Sequence, residues 1–452
     1  MIQYMLLPEL YSHEINDSIN TATMYRQYLK QCRNKQVNMK YPLTDSDLTG
    51  SNTDTMIVIN GGNEEDTELG DTLQLNTLSN HVHTLLSPEK KERKLILHFD
   101  IRNTVLVADS VTNVCVEQAL NSFLTGVTWG HEDSDGRWQW HSDQLSLTPP
   151  APNVITYYKH LEKKFVKNTT DRTQLRLATG DFSQSDIGRH FHPHFQNHLE
   201  LLKWRHEFNR DSHDILTMSG KDGQQYNYIV PAVYKCIHYL IQNQRDFAIV
   251  FRTFGLDAPN VIRSLTHGLK GNHPGFPEPV HLPVDTNIGT VKRGADTPTV
   301  CSLTGPNNNS FTGDRDIYDM LCQRVGISGF RDDVHYWLEN NYHHNTSKPH
   351  IIDPFDPNVH HIFFDDNFRP FEEDSIIDVR LFETRGAREA RSLSNMELAQ
   401  FENVCLVQAD LLRCIEDEDY YVDRINQCES NYSKFLKKFS ALSRSVSVQD
   451  IL

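Results

Sequence analysis

Three short runs of almost unbroken apolar residues constrain the fold most: Leu95-Ile96-Leu97-His98-Phe99, Phe247-Ala248-Ile249-Val250-Phe251 and Ile362-Phe363-Phe364. A strand with one face in water alternates apolar and polar residues. A strand covered on both faces reads as a continuous apolar run, as in a parallel sheet. Each run stops abruptly at polar residues: Asp100, Arg252-Thr253 and Asp365-Asp366-Asn367. A fourth run, Ile376 to Leu381, follows the third. Ahead of the second run, Pro231 suits a first helical position. Val233, Ile237, Leu240 and Ile241 then fall at i, i+4, i+7 and i+8, which predicts an amphipathic helix of about three turns. Helices are also predicted over 316–324 and 332–340. Alternating strands and helices of this kind predict an α/β fold, a doubly wound, Rossmann-like parallel sheet.

The pattern divides the chain. Residues 1–90 read as an N-terminal extension, partly disordered, with a short helix near 24–32 and a strand-like run at 56–59. Residues 91–110 and 231–390 make the α/β core. Residues 111–230 interrupt it right after the first strand and read as an inserted cap. Residues 268–313, rich in Pro, Gly and Asn, read as a long loop excursion. Residues 391–440 read as C-terminal helices, opened by the capping-box pattern Ser394-Asn395-Met396-Glu397. Residues 441–452 read as a loose tail.

Charge narrows the function classes. Across 452 residues, 44 Lys+Arg face 60 Asp+Glu, a formal charge of −16 that would repel phosphate backbones and anionic lipid. A nucleic-acid or membrane partner is therefore not expected. Hydrophobic residues are 38% and the mean hydropathy is −0.55, as for a soluble protein with a core and sizeable polar loops. No stretch approaches the roughly 18–20 apolar residues that span a bilayer. The start of the chain lacks a basic segment and a long apolar run, so no signal peptide is expected. Eight scattered cysteines without C-x-x-C spacing read as reduced thiols of a cytoplasmic protein. P-loop, dinucleotide-binding and nucleophile-elbow motifs are absent. The oligomeric state is not legible.

In an open parallel sheet, functional residues gather at the carboxyl edge. Here the strand ends offer Asp100, Thr253, Asp365 and Asp366. Carboxylates meeting at one edge repel unless a cation lies between them. A hard divalent ion, Mg²⁺, is the economical cofactor, and a bound phosphate would reach from it to Thr253.

Together these residues resemble the haloacid dehalogenase (HAD) superfamily. Its first motif, an apolar strand followed by D-x-D-x-T, is matched by Phe99-Asp100-Ile101-Arg102-Asn103-Thr104. Its second, an apolar strand ending in Ser or Thr, is matched by Val250-Phe251-Arg252-Thr253. Its third, a basic residue often followed by Pro, is matched by Lys348-Pro349, 17 residues before Asp365. Its fourth, an apolar strand ending in two acids, is matched by Phe364-Asp365-Asp366. The resemblance covers about residues 95–110, 230–257 and 347–381. It implies a Mg²⁺-dependent phosphohydrolase or phosphotransferase acting on a small phosphorylated substrate. Asp100 would be the nucleophile that forms an aspartyl-phosphate. Asp100, Asp365 or Asp366, and the main-chain carbonyl of Arg102 would hold the metal. Thr253 would bond a phosphate oxygen, and Lys348 would stabilise the intermediate.

One position departs from the pattern. Hydrolysing members carry an acid–base aspartate two residues after the nucleophile, whereas this chain has Arg102, which stays protonated. Arg102 leaves open slow phosphotransfer, an unusual substrate whose anion it holds, or a catalytically silent scaffold. A rival site is the tract His190, His192, His194 and His198. His194 and His198 would share a helix face, but Pro193 interrupts the tract and no Cys or carboxylate completes a zinc set nearby. By position, the tract is expected at the inner face of the cap.

Overall fold

The computed structural model describes residues 92–107, 114–166, 172–206, 215–221, 223–305, 308–370 and 372–442. The expected N-terminal extension and the tail after 442 lie outside the described residues. The described residues from Arg93 onward belong to one compact unit.

In chain order, β1 (Lys94–Phe99) leads to α1 (Val116–Val127), β2 (Trp129–Glu132), β3 (Trp138–Trp140), β4 (Ile155–Thr156), α2 (Tyr157–Phe165), α3 (Thr173–Gly180), α4 (His192–Leu202), β5 (Thr217–Ser219) and β6 (Gln225–Asn227). Next come α5 (Pro231–Gln242), β7 (Phe247–Thr253), α6 (Ala258–His267), β8 (Gly289–Lys292), β9 (Val300–Ser302), β10 (Ser310–Thr312), α7 (Asp314–Cys322), β11 (Gly326–Arg331) and α8 (Val334–Glu339). The remainder is β12 (Lys348–Ile352), β13 (Val359–Asp365), β14 (Ile377–Leu381), β15 (Arg391–Ser392), α9 (Asn395–Leu398), β16 (Leu406–Gln408), α10 (Leu411–Glu416) and α11 (Tyr420–Leu442).

This is a mixed α/β fold with a largely parallel core sheet and C-terminal helices. The eight-stranded sheet runs β10-β9-β8-β11-β7-β1-β13-β16. Its β8, β11, β7, β1, β13 and β16 pair in parallel, and β8-β9 and β9-β10 in antiparallel. The three apolar runs are its centre: β1 lies between β7 and β13. Alternate residues feed different cores. Leu95, Leu97 and Phe99 join one cluster with Ile249, Phe251 and Phe364, while Ile96 joins Ala248 and Val250 in another. Both faces are thus buried, as the apolar runs predict. Phe99 and Phe364 stack at 4.7 Å, with Tyr421 of α11 edge-on to both. Such pairs add about 0.5–1.5 kcal/mol to what burial alone supplies. The Tyr421 hydroxyl also donates to the Thr104 carbonyl, so α11 fixes the turn after β1.

Two expectations are corrected by the sheets. The run at 376–381 does not continue the main sheet. It forms β14 in a separate three-stranded sheet, β12-β14-β15. Its pattern explains this, because Ile377, Val379 and Leu381 are core while Asp378 and Arg380 on the other face are tied to Arg293 and Asp314. The tract 268–313, read as a loop excursion, supplies β8, β9 and β10. Its strands are only three or four residues long, and Gly289, Val291 and Cys301 are the buried positions. So short a signal is lost among the surrounding Pro, Gly and Asn. The capping box at Ser394 and Glu397 is present, but α9 lasts four residues before a 3₁₀ turn at Ala399–Phe401. Among the described residues, no helix is long and apolar enough to cross a membrane.

Candidate metal and phosphate site

Register brings the acids together. Phe99 pairs with Phe251 on one side and Phe364 on the other, so β1, β7 and β13 end nearly level. The Asp100 amide donates to the Phe364 carbonyl at 2.9 Å, which sets Asp100 beside Asp365. Asn103 then turns the chain in the left-handed region (φ 54°), a conformation Asn tolerates better than most residues. Its Nδ2 donates to Asp366 Oδ2 at 3.1 Å, tying the end of β1 to the end of β13.

Asp100, Asp365 and Asp366 each direct a carboxylate oxygen into a space where these atoms lie within 4.8 Å of one another. Lys348, 1% exposed, reaches in from β12. Its ammonium donates to Asp100 Oδ1 at 2.5 Å and to Asp365 Oδ2 at 2.8 Å. Asp365 Oδ1 accepts from the Asn367 amide at 2.9 Å, and Asp366 Oδ1 accepts from Asn367 Nδ2 at 3.1 Å.

Burial, opposed by Lys348 and assisted by Asp365, pushes the Asp100 carboxyl up to about 7. Burial, then Asp365 and Asp100, drives Asp366 well above the usual carboxylate range. Burial would lower Lys348, but the Asp100 and Asp365 charges outweigh it and raise it above the ordinary lysine value. Three carboxylates against one ammonium leave two formal negative charges in a buried place, which a divalent cation matches. The buried cluster is therefore suited to hold one, and its all-oxygen donor set fits a hard ion.

Thr253 ends β7, and its Oγ1 accepts from the Gly255 amide at 2.9 Å. Asp100, Arg102, Thr253, Lys348 and Asp366 all line one cavity of about 300 Å³. Helices α1 and α3 supply the facing wall, through residues such as Gln118, Phe123 and Arg176. Phe254, stacked on Trp337 at 5.1 Å, adds an aromatic side. A second cavity of about 260 Å³ adjoins it and shares Phe123, Asp366 and Asn367. Of the residues named by the resemblance, Asp100, Arg102, Thr253, Lys348 and Asp366 line this cavity, and Asp365 joins Asp100 and Asp366 in the acid cluster.

The Arg102 side chain lines the cavity and has a partner within the chain. Its Nε pairs with Asp257 Oδ2 at 3.3 Å. Asp257 escaped the sequence reading because an Asp just before Ala258-Pro259 reads as an ordinary helix cap. Asn103 and Asn367 carry no signal of their own, because Asn after a strand is a common turn residue.

The histidine tract is dispersed. Pro193 lies in the first turn of α4 and does not interrupt it, since proline is tolerated there. His190 packs at a tilt against Phe191 and lies 3.5 Å from Asp143, His192 faces Ser183 at 3.4 Å, and His198 reaches Glu416 at 3.0 Å. None of the four histidines lines either cavity, so the tract is not at the inner face of the site.

No family model, curated protein or solved structure matches this chain.

Proposed function

We propose that the chain is a haloacid-dehalogenase-like phosphohydrolase or phosphotransferase with a doubly wound core, acting through an aspartyl-phosphate on Asp100. The observation that carries the reading is the gathering of Asp100, Thr253, Lys348 and Asp366 at one cavity, with Asp365 in the acid cluster beside them. They come from four separate segments, in the order of the family's motifs. Asp100, Asp365 and Asp366 would hold Mg²⁺. When bound, Mg²⁺ supplies charge neutralisation between the nucleophile and the incoming phosphoryl group.

The chain's own residues do the rest. An Asp100 carboxylate oxygen attacks phosphorus, and the bond from phosphorus to the leaving oxygen breaks. Lys348 holds the Asp100 carboxylate in place and balances charge as the bond forms. The Thr253 hydroxyl orients a phosphoryl oxygen. The segment carrying α1 to α4 serves as the cap, and its α1 and α3 side chains select the leaving group and exclude water. The cavity suits a small phosphorylated molecule. The cytoplasm suits the seven free thiols among the described residues.

Arg102 is the one observation favouring a second reading, a catalytically silent relative used for binding. A screen of small phosphomonoesters with and without Mg²⁺ separates the two. Mg²⁺-dependent phosphate release that Asp100→Asn abolishes supports the enzyme. Saturable ligand binding without release supports the silent module.

A further inference from the structure

The position that should carry a base carries Arg102, yet a carboxylate stands beside it. Asp257 is 1% exposed, lines the same cavity as Asp100 and Thr253, and pairs with Arg102 Nε through Oδ2. It sits just before α6, where an Asp normally caps the helix by accepting an amide hydrogen bond. It does not do so here. Pro259, at the second helical position, has no amide hydrogen to offer. Among the described residues, neither carboxylate oxygen accepts a hydrogen bond. Burying a carboxylate that neither caps nor accepts is costly even beside an ion-pair partner, and such a group calls for a reason, of which chemistry at the cavity is one.

The loop passes close to it without a side chain. A Cβ on Gly255 would come within 2.8 Å of Asp257 Oδ2 and 3.4 Å of Thr253 Oγ1. The glycine therefore lets the loop backbone pass close to the carboxylate and to the hydroxyl assigned to the phosphoryl oxygen, where a side chain would crowd both.

Resting on the proposed aspartyl-phosphate chemistry, we infer that Asp257 is a catalytic residue, the base that activates water against the phosphorylated Asp100, with Arg102 positioning it. Asp257 takes a proton from water, and the hydroxyl oxygen forms a bond to phosphorus. The bond from phosphorus to the Asp100 oxygen breaks, and its electron pair returns to the Asp100 carboxylate. Inorganic phosphate leaves, and the proton on Asp257 passes to solvent. The base reaches the site from the loop after β7 and not from the turn after β1. The arrangement accounts for an arginine at a place where hydrolysing relatives need an acid.

The test is single-turnover phosphorylation with 4-nitrophenyl phosphate and Mg²⁺, whose leaving group needs no acid. Acid-quenched, covalently bound phosphate is counted over time in wild type, Asp257→Asn and Gly255→Ala. Beryllofluoride, a mimic of the aspartyl-phosphate, is titrated against each protein by melting temperature, which reports on folding and on Asp100 without turnover. The expected result is a phosphoenzyme that forms at the wild-type rate in Asp257→Asn but persists about 10²-fold longer or more, the lower end of general-base effects. Gly255→Ala should lengthen it too, and beryllofluoride should stabilise all three proteins alike. Wild-type decay in Asp257→Asn would overturn the inference. So would an equal loss of formation, decay and beryllofluoride binding, which marks a structural residue. If wild type itself forms no covalent phosphate and releases none, the aspartyl-phosphate reading fails and the inference falls with it.

Discussion

The Lys348 ammonium donates to Asp100 Oδ1 at 2.5 Å while its own strand, β12, belongs to a different sheet from β1. One hydrogen bond thus ties the satellite sheet to the proposed nucleophile. Because Lys348 also binds Asp365, it is the fixed positive charge that lets two buried carboxylates sit together. Removing it should cost more than the ion pair is worth, since the acids remain buried and unpaired. Lys348→Met should lose about 3–5 kcal/mol in urea unfolding without metal. Millimolar Mg²⁺ should restore more stability to this variant than it adds to wild type. Equal stability of the two proteins in chelator would contradict the role assigned to Lys348.

A cation that binds only the folded chain raises stability as its sites fill. At a hundredfold excess over Kd the gain is about 2.7 kcal/mol. Wild type should therefore melt higher in Mg²⁺ than in chelator, and the shift should shrink in Asp365→Asn and Asp366→Asn. Differential scanning calorimetry at several Mg²⁺ concentrations measures it. An identical shift in all three proteins would place the ion elsewhere.

Arg102→Asp has a structural consequence that the sequence does not disclose. It replaces the partner of Asp257 with a second acid, turning attraction into repulsion in a buried corner. The variant should lose about 3–5 kcal/mol, the range for breaking a buried pair. Arg102→Asp combined with Asp257→Asn should recover much of that loss. Urea melts of the two single variants and the double variant give the coupling directly. Additive losses would mean the pair contributes nothing.

The core beneath the site carries a cluster of imidazoles. His98 Nε2 and His361 Nδ1 are 3.1 Å apart, and His350 packs edge-on to His98 at 5.3 Å. Burial, and then neighbouring positive charge, pushes His361 down to about 3 and holds His98 and His350 well below the ordinary value. These rings stay neutral when folded and take up protons when unfolded below about pH 6.5. The unfolded state then binds more protons, so the stability they contribute is complete above about 6.5. It is lost as pH falls toward 3, at about 1.4 kcal/mol per pH unit for each histidine. The buried acids, whose values are raised, work in the opposite direction, so the comparison must be made against a variant. His361→Gln should show a shallower fall in stability between pH 6.5 and 5 than wild type. Parallel curves would remove His361 from the argument.

The sequence disclosed the site better than its surroundings. The runs 95–99, 247–251 and 362–364 were legible because strands buried on both faces carry no polar residue until they end, and those ends are where the acids lie. β8 to β10 were not legible, because three-residue strands hold too few residues for a period to show. β14 misled for a related reason: its apolar positions alternate with Asp378 and Arg380, whose partners Arg293 and Asp314 are distant in sequence. Lys348 could be named from its motif, but its burial between two acids depends on a second sheet that no local pattern announces. Asp257 was hidden because its helix-cap context is common and only the fold turns it toward Arg102.

The central claim is that Asp100 accepts a phosphoryl group. It is tested most directly by incubating the protein with 4-nitrophenyl phosphate or acetyl phosphate and Mg²⁺, quenching in acid, and locating the added phosphate by peptide mass spectrometry. The predicted result is one hydroxylamine-labile phosphate on Asp100, formed only with Mg²⁺ and absent in Asp100→Asn. Covalent phosphate on another residue, or none on Asp100 under any of these conditions, would contradict it.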